Sequence, residues 1–382
     1  MINRELINPQ SIVVVGGSNN VHKPGGRLVR NLLDGKYKGE LYVVNAKEDD
    51  VQGLKSYHSV HDIPETELAI ISIPGPACPE AMDVLAKQKN VKAFIVISAG
   101  FGEETHEGAI LEEQMLKSIN EAGASLIGPN CIGLMNMHYH GVFTQPIPEF
   151  HADGVDFISS SGGTALFIIE SALTKGLRFS SVWSVGNSKQ IGVEEVIEYM
   201  DRNFDPVLDS KIKMLYIEQI KNPDKLLYHA SSLIRKGCHI AAIKAGSTDV
   251  GKRAASSHTG AIANSDSAVE ALFRKAGIVR CFSREELTTV ASIFTLKEVK
   301  GKNCAIITHA LEKGRLNVPK LDGPLAAELK SKLYPGAAVG NPIDIIGTGT
   351  PEHLATAIDF CENCFEDIDL MMVIFGSPGL VK

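Results

Sequence analysis

The chain is built on short, unbroken apolar runs, each ended by glycine, serine, proline or asparagine and followed by a stretch of helical spacing. Ser11-Ile12-Val13-Val14-Val15 is the first. A strand that is apolar on both sides must be covered on both faces, which is the situation of a parallel sheet. Parallel neighbours need a crossover between them, normally a helix. Further runs at residues 41–45, 68–73, 93–98 and 125–127 alternate with helices expected at 27–33, after Pro76 as far as Lys89, and at 108–122. This alternation over about 135 residues reads as a doubly wound, Rossmann-like α/β domain whose ligand lies across the strand C-terminal ends.

A second unit begins at Gly154, with strands expected at 155–159, 179–185, 212–217 and 240–244 and helices at 165–175, 193–201, 224–236 and 266–276. A third starts near Asn303, with a strand at 304–308, a helix at 324–332, a second helix ending at Cys364 and a final strand at 370–375. That last strand has no covering helix after it, so either further residues or a partner is expected to cover it. Linkers are expected at 141–154 and 284–302, which divides the chain into 1–140, 150–285 and a partial 300–382.

At 382 residues there is length for two or three domains with full cores. A net charge of −7 and a pI near 6.0 argue against nucleic acid or an anionic membrane as the main partner. No apolar run approaches the roughly 20 residues of a membrane span, and no signal peptide is read at the N-terminus. Seven scattered cysteines suit a reducing cytoplasm. Cys361-x-x-Cys364 stands without a second pair and reads as core packing, so no metal site is expected.

The turns carry the chemistry. Gly16-Gly17-Ser18 follows the first strand and precedes Lys23-Pro24-Gly25-Gly26. Backbone N–H groups at such a turn and helix N-terminus cradle an anion. The spacing is not Gly-x-Gly-x-x-Gly, and Asn45-Ala46-Lys47 stands where a dinucleotide domain needs an acid for the ribose. A phosphate-bearing ligand other than NAD is expected near Ser18, Asn45, Pro74 and Ser98. In the second unit Ser160-Ser161-Gly162-Gly163-Thr164 opens a helix and makes a phosphate site. Glu218 ends one strand, and the next leads to Ser256-Ser257-His258-Thr259-Gly260-Ala261. Taken alone, His258 reads as a surface-loop histidine and Glu218 as an ion-pair member. Together they place a nucleophilic imidazole and a carboxylate that fixes its tautomer at one sheet edge.

These motifs, with Gly128-Pro129-Asn130-Cys131-Ile132-Gly133, Tyr216-Ile217-Glu218 and Asn341-Pro342-Ile343-Asp344, occur in an order that resembles the nucleoside-diphosphate-forming acyl-CoA synthetases. The resemblance is above all to the alpha subunit, or alpha-like half, of ADP-forming acetyl-CoA synthetase, and more distantly to succinyl-CoA synthetase alpha subunits. It implies a CoA-binding Rossmann-like domain followed by two flavodoxin-like domains, the last incomplete. It further implies CoA contacts at Gly17, Ser18, Asn45, Lys47, Ile73, Pro74, Ser98, Ala99, Gly100 and Asn130. Phosphate binding falls to Ser160, Ser161, Gly162 and Gly163, phosphorylation to His258, and its support to Glu218. The implied reaction converts acyl-CoA, phosphate and ADP to a small carboxylic acid, CoA and ATP in the cytoplasm. ADP or ATP with Mg²⁺ is expected on an ATP-grasp beta subunit, in an alpha2beta2 assembly. His309-Ala310-Leu311-Glu312 departs from the family's Gly-Gly-Pro-Gly type loop. The alternatives are a non-catalytic CoA-responsive module and, less favoured, an NAD-dependent dehydrogenase.

Overall fold

All five apolar runs of the first unit are strands of one sheet. The computed structural model describes residues 2–246, 265–296, 301, 303–307, 317–345 and 350–373. The chain opens with α1 (Arg4–Ile7), β1 (Ser11–Val15), α2 (Pro24–Asp34) and β2 (Glu40–Val44). A small hairpin, β3 (Asp50–Val51) and β4 (Leu54–Tyr57), follows. Next come β5 (Leu68–Ile71), α3 (Cys78–Gln88), β6 (Ala93–Val96), α4 (His106–Glu121) and β7 (Ser125–Ile127). The seven strands are ordered β3-β4-β2-β1-β5-β6-β7, and only the β3–β4 pair is antiparallel. The strand order reverses beside β1, which puts the ligand crevice of an open α/β sheet at the β1 and β5 C-terminal ends.

The second sheet contains β8 (Gly133–Asn136), β9 (His140–Val142), β10 (Phe150–Ser159), β11 (Phe179–Ser184), β12 (Ile212–Ile217), β13 (His239–Lys244) and β14 (Val279–Cys281). Its crossovers include α5 (Gly162–Thr174), α6 (Val193–Asn203) and α7 (Pro223–Arg235). The order is β14-β13-β12-β10-β11-β8-β9. Two segments expected to be linkers carry regular structure. Residues 284–302 begin with the helix Arg284–Phe294, because the Ser283 side chain caps it by accepting from the Glu286 N–H and because Leu287, Thr288 and Ala291 are buried. Within 141–154, β10 already starts at Phe150, and its ladder with β11 is irregular between Phe150 and Val155.

The two sheets share one apolar core, which runs from Ile12, Val14 and Leu28 to Leu134, Ile158 and Trp183. Polar anchors fix the contact: Tyr139 Oη donates to the Leu6 carbonyl (2.7 Å), and Asn31 Nδ2 donates to the Val142 carbonyl (2.7 Å). Both sheets belong to one compact unit, 1–296.

The other unit, 297–382, pairs β15 (Cys304–Ile307) in parallel with β16 (Leu370–Val373) and carries the helices Gly323–Lys332 and Pro351–Asn363. Cys361 is in its core beside Phe360, and burial pushes the thiol up to about 11. Residues 309–312 lie outside the described residues.

Candidate active site

Close packing builds the glycine turn after β1. Gly16 sits at φ +92°, and a Cβ there would fall 2.2 Å from the Ser72 carbonyl oxygen. A Cβ on Gly25 would fall 2.0 Å from the Gly16 carbonyl oxygen, so the first turn of α2 rests directly on the loop. Asn45 Nδ2 donates to the Gly17 carbonyl (2.7 Å), and Asn45 Oδ1 accepts from the Lys47 N–H (2.9 Å). Gln52, at the tip of the β3–β4 hairpin, donates to the carbonyls of Ser18 and Gly26, both at 2.8 Å. Gly17, Ser18 and Asn45 are thus one hydrogen-bonded group that shapes the turn. Lys47 is exposed next to it.

The strand ends beside β1 continue the site. The Ser98 hydroxyl donates to the Ile73 carbonyl, and the Asn130 N–H donates to the Ser98 carbonyl (2.9 Å). The Glu103 carboxylate accepts from the Gly100 N–H (2.9 Å) and from Asn187 Nδ2 (2.6 Å). Asn187 also reaches the buried Glu112 (2.8 Å). Asn187 therefore ties the loops of the first sheet to the turn after β11.

From the second sheet come the C-terminal ends of β10, β12 and β13. The Ser161 side chain caps α5 by accepting from the Thr164 N–H (3.3 Å). Burial raises the pKa of the Tyr216 phenol, against a hydrogen bond shared with Thr164 that lowers it. Burial also lowers that of Lys244, while the charges of Glu218 and Asp266 raise it.

All these ends open on one cleft of about 1340 Å³. Of the residues expected from the sequence, Ile73, Pro74, Ser98, Ala99, Asn130, Ser160, Ser161, Gly162, Gly163 and Glu218 line it. Gly17, Ser18, Asn45, Lys47 and Gly100 do not; Gly16, Lys23, Pro24 and Gly25 stand at that end instead. Ala245 and Gly246, which leave β13, also line the cleft. His258 lies outside the described residues. Asn187 and Lys244 line the cleft without standing among the residues expected there, and Tyr216 is singled out in the sequence only within Tyr216-Ile217-Glu218. A lysine closing the apolar run Ile240-Ala241-Ala242-Ile243 is the sequence signal for Lys244.

Cys131 borders the cleft but is no nucleophile. Burial pushes its thiol up to about 12, and Sγ donates to the Val96 carbonyl (3.3 Å). A raised pKa leaves the thiol protonated through the neutral range, and the thiolate is the reactive form. Iodoacetamide at pH 8 is expected to leave Cys131 unmodified in the native chain and to label it in urea, as read by peptide mass mapping. Rapid native labelling of Cys131 would contradict this environment.

The family model described as "CoA binding domain" matches residues 10–137, and "Succinyl-CoA ligase like flavodoxin domain" matches 152–294. The chain is 35% identical over 359 residues to the alpha subunit of acetate–CoA ligase [ADP-forming] II of Pyrococcus furiosus, covering 91% of this chain and 77% of that one. It is 34% identical to the acetate–CoA ligase [ADP-forming] of Methanocaldococcus jannaschii, covering 90% of this chain but 49% of that protein. The solved dinucleotide-forming acetyl-coenzyme A synthetase 1 of Ca. Korarchaeum cryptofilum, in complex with phosphate and ADP, superposes with a TM-score of 0.83. That likeness is at 29% identity and covers 97% of this chain and 81% of that one.

Proposed function

We propose, from the premise that this chain belongs to the family of ADP-forming acetate–CoA ligases, that it is the CoA-binding and phosphohistidine-bearing part of such an enzyme. The observation that carries this reading is the shared cleft, where the strand ends of the CoA-binding sheet meet the serine–glycine turn and Glu218 of the other sheet. The chain spans about half the length of two relatives named without a subunit, 49% and 54%, and 77% of the relative named as an alpha subunit. On the likeness to that alpha subunit the nucleotide-handling part is assigned to a separate subunit of ATP-grasp fold, in an alpha2beta2 assembly.

On this reading residues 1–140 hold CoA, with Ile73, Pro74, Ser98, Ala99, Gly100 and Asn130 at the strand ends. Asn45 acts by holding the Gly17 carbonyl, and Lys47 stands beside it for a phosphate of CoA. Residues 150–285 hold the phosphate at Ser160, Ser161, Gly162 and Gly163, and residues 300–382 are a second flavodoxin-like domain. A phosphate oxygen attacks the thioester carbonyl and the C–S bond breaks. The products are acyl phosphate and CoA, whose thiolate takes up a proton. His258 then attacks phosphorus, the P–O bond to the acyl group breaks, and the carboxylic acid leaves as its anion. Finally the N–P bond breaks as a β-phosphate oxygen of ADP takes the phosphoryl group, forming ATP. Glu218 holds the imidazole proton on the nitrogen remote from phosphorus. Among the described residues no group of three or more His, Cys, Asp or Glu could hold a metal ion. Mg²⁺ is assigned with the nucleotide to the partner subunit. No described helix is long and apolar enough to cross a membrane, and the cytoplasm is the proposed location.

Two measurements test this. By calorimetry the full chain is expected to bind CoA and to bind NAD at least about tenfold more weakly, since the ribose-binding acid is replaced by Asn45. With an ATP-grasp subunit added, ATP is expected from acetyl-CoA, phosphate and ADP; without it, none. Synthesis by the chain alone at an ordinary rate of about 10 per second would sink the partner assignment.

A further inference from the structure

Lys244 is the last residue of β13, and the β12–β13 register sets it opposite Ile217, one residue before Glu218. It is 5% exposed and lines the cleft together with Glu218 and the serine–glycine turn. Its ammonium donates to the adjacent Ala245 carbonyl at 2.6 Å. Among the described residues the other buried lysine has a carboxylate, Asp156 at 2.5 Å from Lys213, and the half-buried Arg280 is faced by Asp266 and, at 2.9 Å, by Glu270. Among the described residues Lys244 has no such partner at ion-pair distance, and Glu218 and Asp266 act on it through longer-range charge. A buried ammonium is costly unless a counter-charge reaches it. The same cleft presents the N-terminus of α5, where unbonded N–H groups favour an anion. Two independent features therefore favour negative charge in one space: a helix N-terminus and a buried lysine of the cleft lining without a carboxylate at ion-pair distance.

We propose that Lys244 binds the transferred group: its ammonium, with the first turn of α5, holds inorganic phosphate and then the phosphoryl group as it moves. The inference rests on the reading of this cleft as the phosphate site. Lys244 takes no covalent part and loses no proton. It offsets the charge that the phosphoryl oxygens carry through transfer. Lysine suits this role because its compact charge needs no planar partner.

Binding of inorganic phosphate to the full chain, measured by equilibrium dialysis, separates this from the histidine chemistry. Lys244→Met is expected to weaken phosphate binding by about tenfold or more, as the loss of a charge-assisted contact does. Its CoA affinity by calorimetry is expected to stay within about twofold, because no CoA contact is assigned to Lys244. Lys244→Arg is expected to recover part of the phosphate binding, since it keeps a positive charge at this position. Phosphate affinity unchanged in Lys244→Met would overturn the inference, as would a parallel loss of CoA and phosphate binding, which marks a merely structural lysine. Labelling by acyl phosphate that persists in His258→Ala counts against the parent reading and leaves the phosphate result standing. No measurable phosphate binding in the wild type overturns the inference directly.

Discussion

Asp156→Ala is expected to cost about 3–5 kcal/mol of stability, because it strands a buried ammonium. Asp156 and Lys213 face each other across the β10–β12 ladder. Lys213 is 1% exposed, and its ammonium reaches Asp156 Oδ2 at 2.5 Å and the Ser210 carbonyl at 2.6 Å. The second carboxylate oxygen accepts from the Ser181 hydroxyl, which in turn accepts from Trp183 Nε1 at 2.8 Å. Removing the acid leaves the charge in place without its counter-charge, which is worse than removing both. Asp156→Leu combined with Lys213→Met is therefore expected to recover more than half of the loss. Trp183 is the chain's one tryptophan and belongs to the network, so its fluorescence reports the relevant transition in urea. Equal destabilisation by the single and double variants would show that volume, not charge, sets the cost.

His258→Ala is expected to lower ATP synthesis by the complete enzyme by about 10⁴-fold or more, as loss of a covalent nucleophile does. Phosphoryl transfer then has no acceptor between acyl phosphate and ADP. CoA affinity is expected to be unchanged, because the CoA contacts assigned above lie on the first sheet. A variant that keeps even about a tenth of wild-type synthesis would show direct transfer from acyl phosphate to nucleotide.

The central parallel strands of both sheets were legible because they are buried on both faces, whereas the short β8, β9 and β14 of the second sheet were not read. Val13, Val14, Ile70 and Ile95 are all fully covered, and no amphipathic period competes with that reading. The hairpin β3–β4 was not legible, since its first strand has two residues and its role is to aim Gln52 at the glycine turn. The helix Arg284–Phe294 was hidden by Thr288, Thr289 and Val290, which favour strands. Ser283 three residues before Glu286 is an N-cap pattern that argued the other way. The ends of the site were legible for a simpler reason. In a doubly wound sheet the parallel strands' C-terminal ends face one side, so Pro74 and Ser98 could be grouped on the first sheet and Ser160 and Glu218 on the second, but not the meeting of the two groups in one cleft. What periodicity cannot give is which polar residue points where. Asn45 turns back to hold Gly17, while Lys244, which ends a buried strand, belongs to the cleft lining.

The central claim is that His258 carries the phosphoryl group between acyl phosphate and nucleotide. Mass mapping of the full chain after incubation with acetyl phosphate and Mg²⁺ tests it most directly. The predicted result is a single phosphate, lost in mild acid, on the peptide containing His258 and absent from His258→Ala. An acid-stable phosphate on a serine of the 160–163 turn, or labelling that survives in His258→Ala, would contradict it.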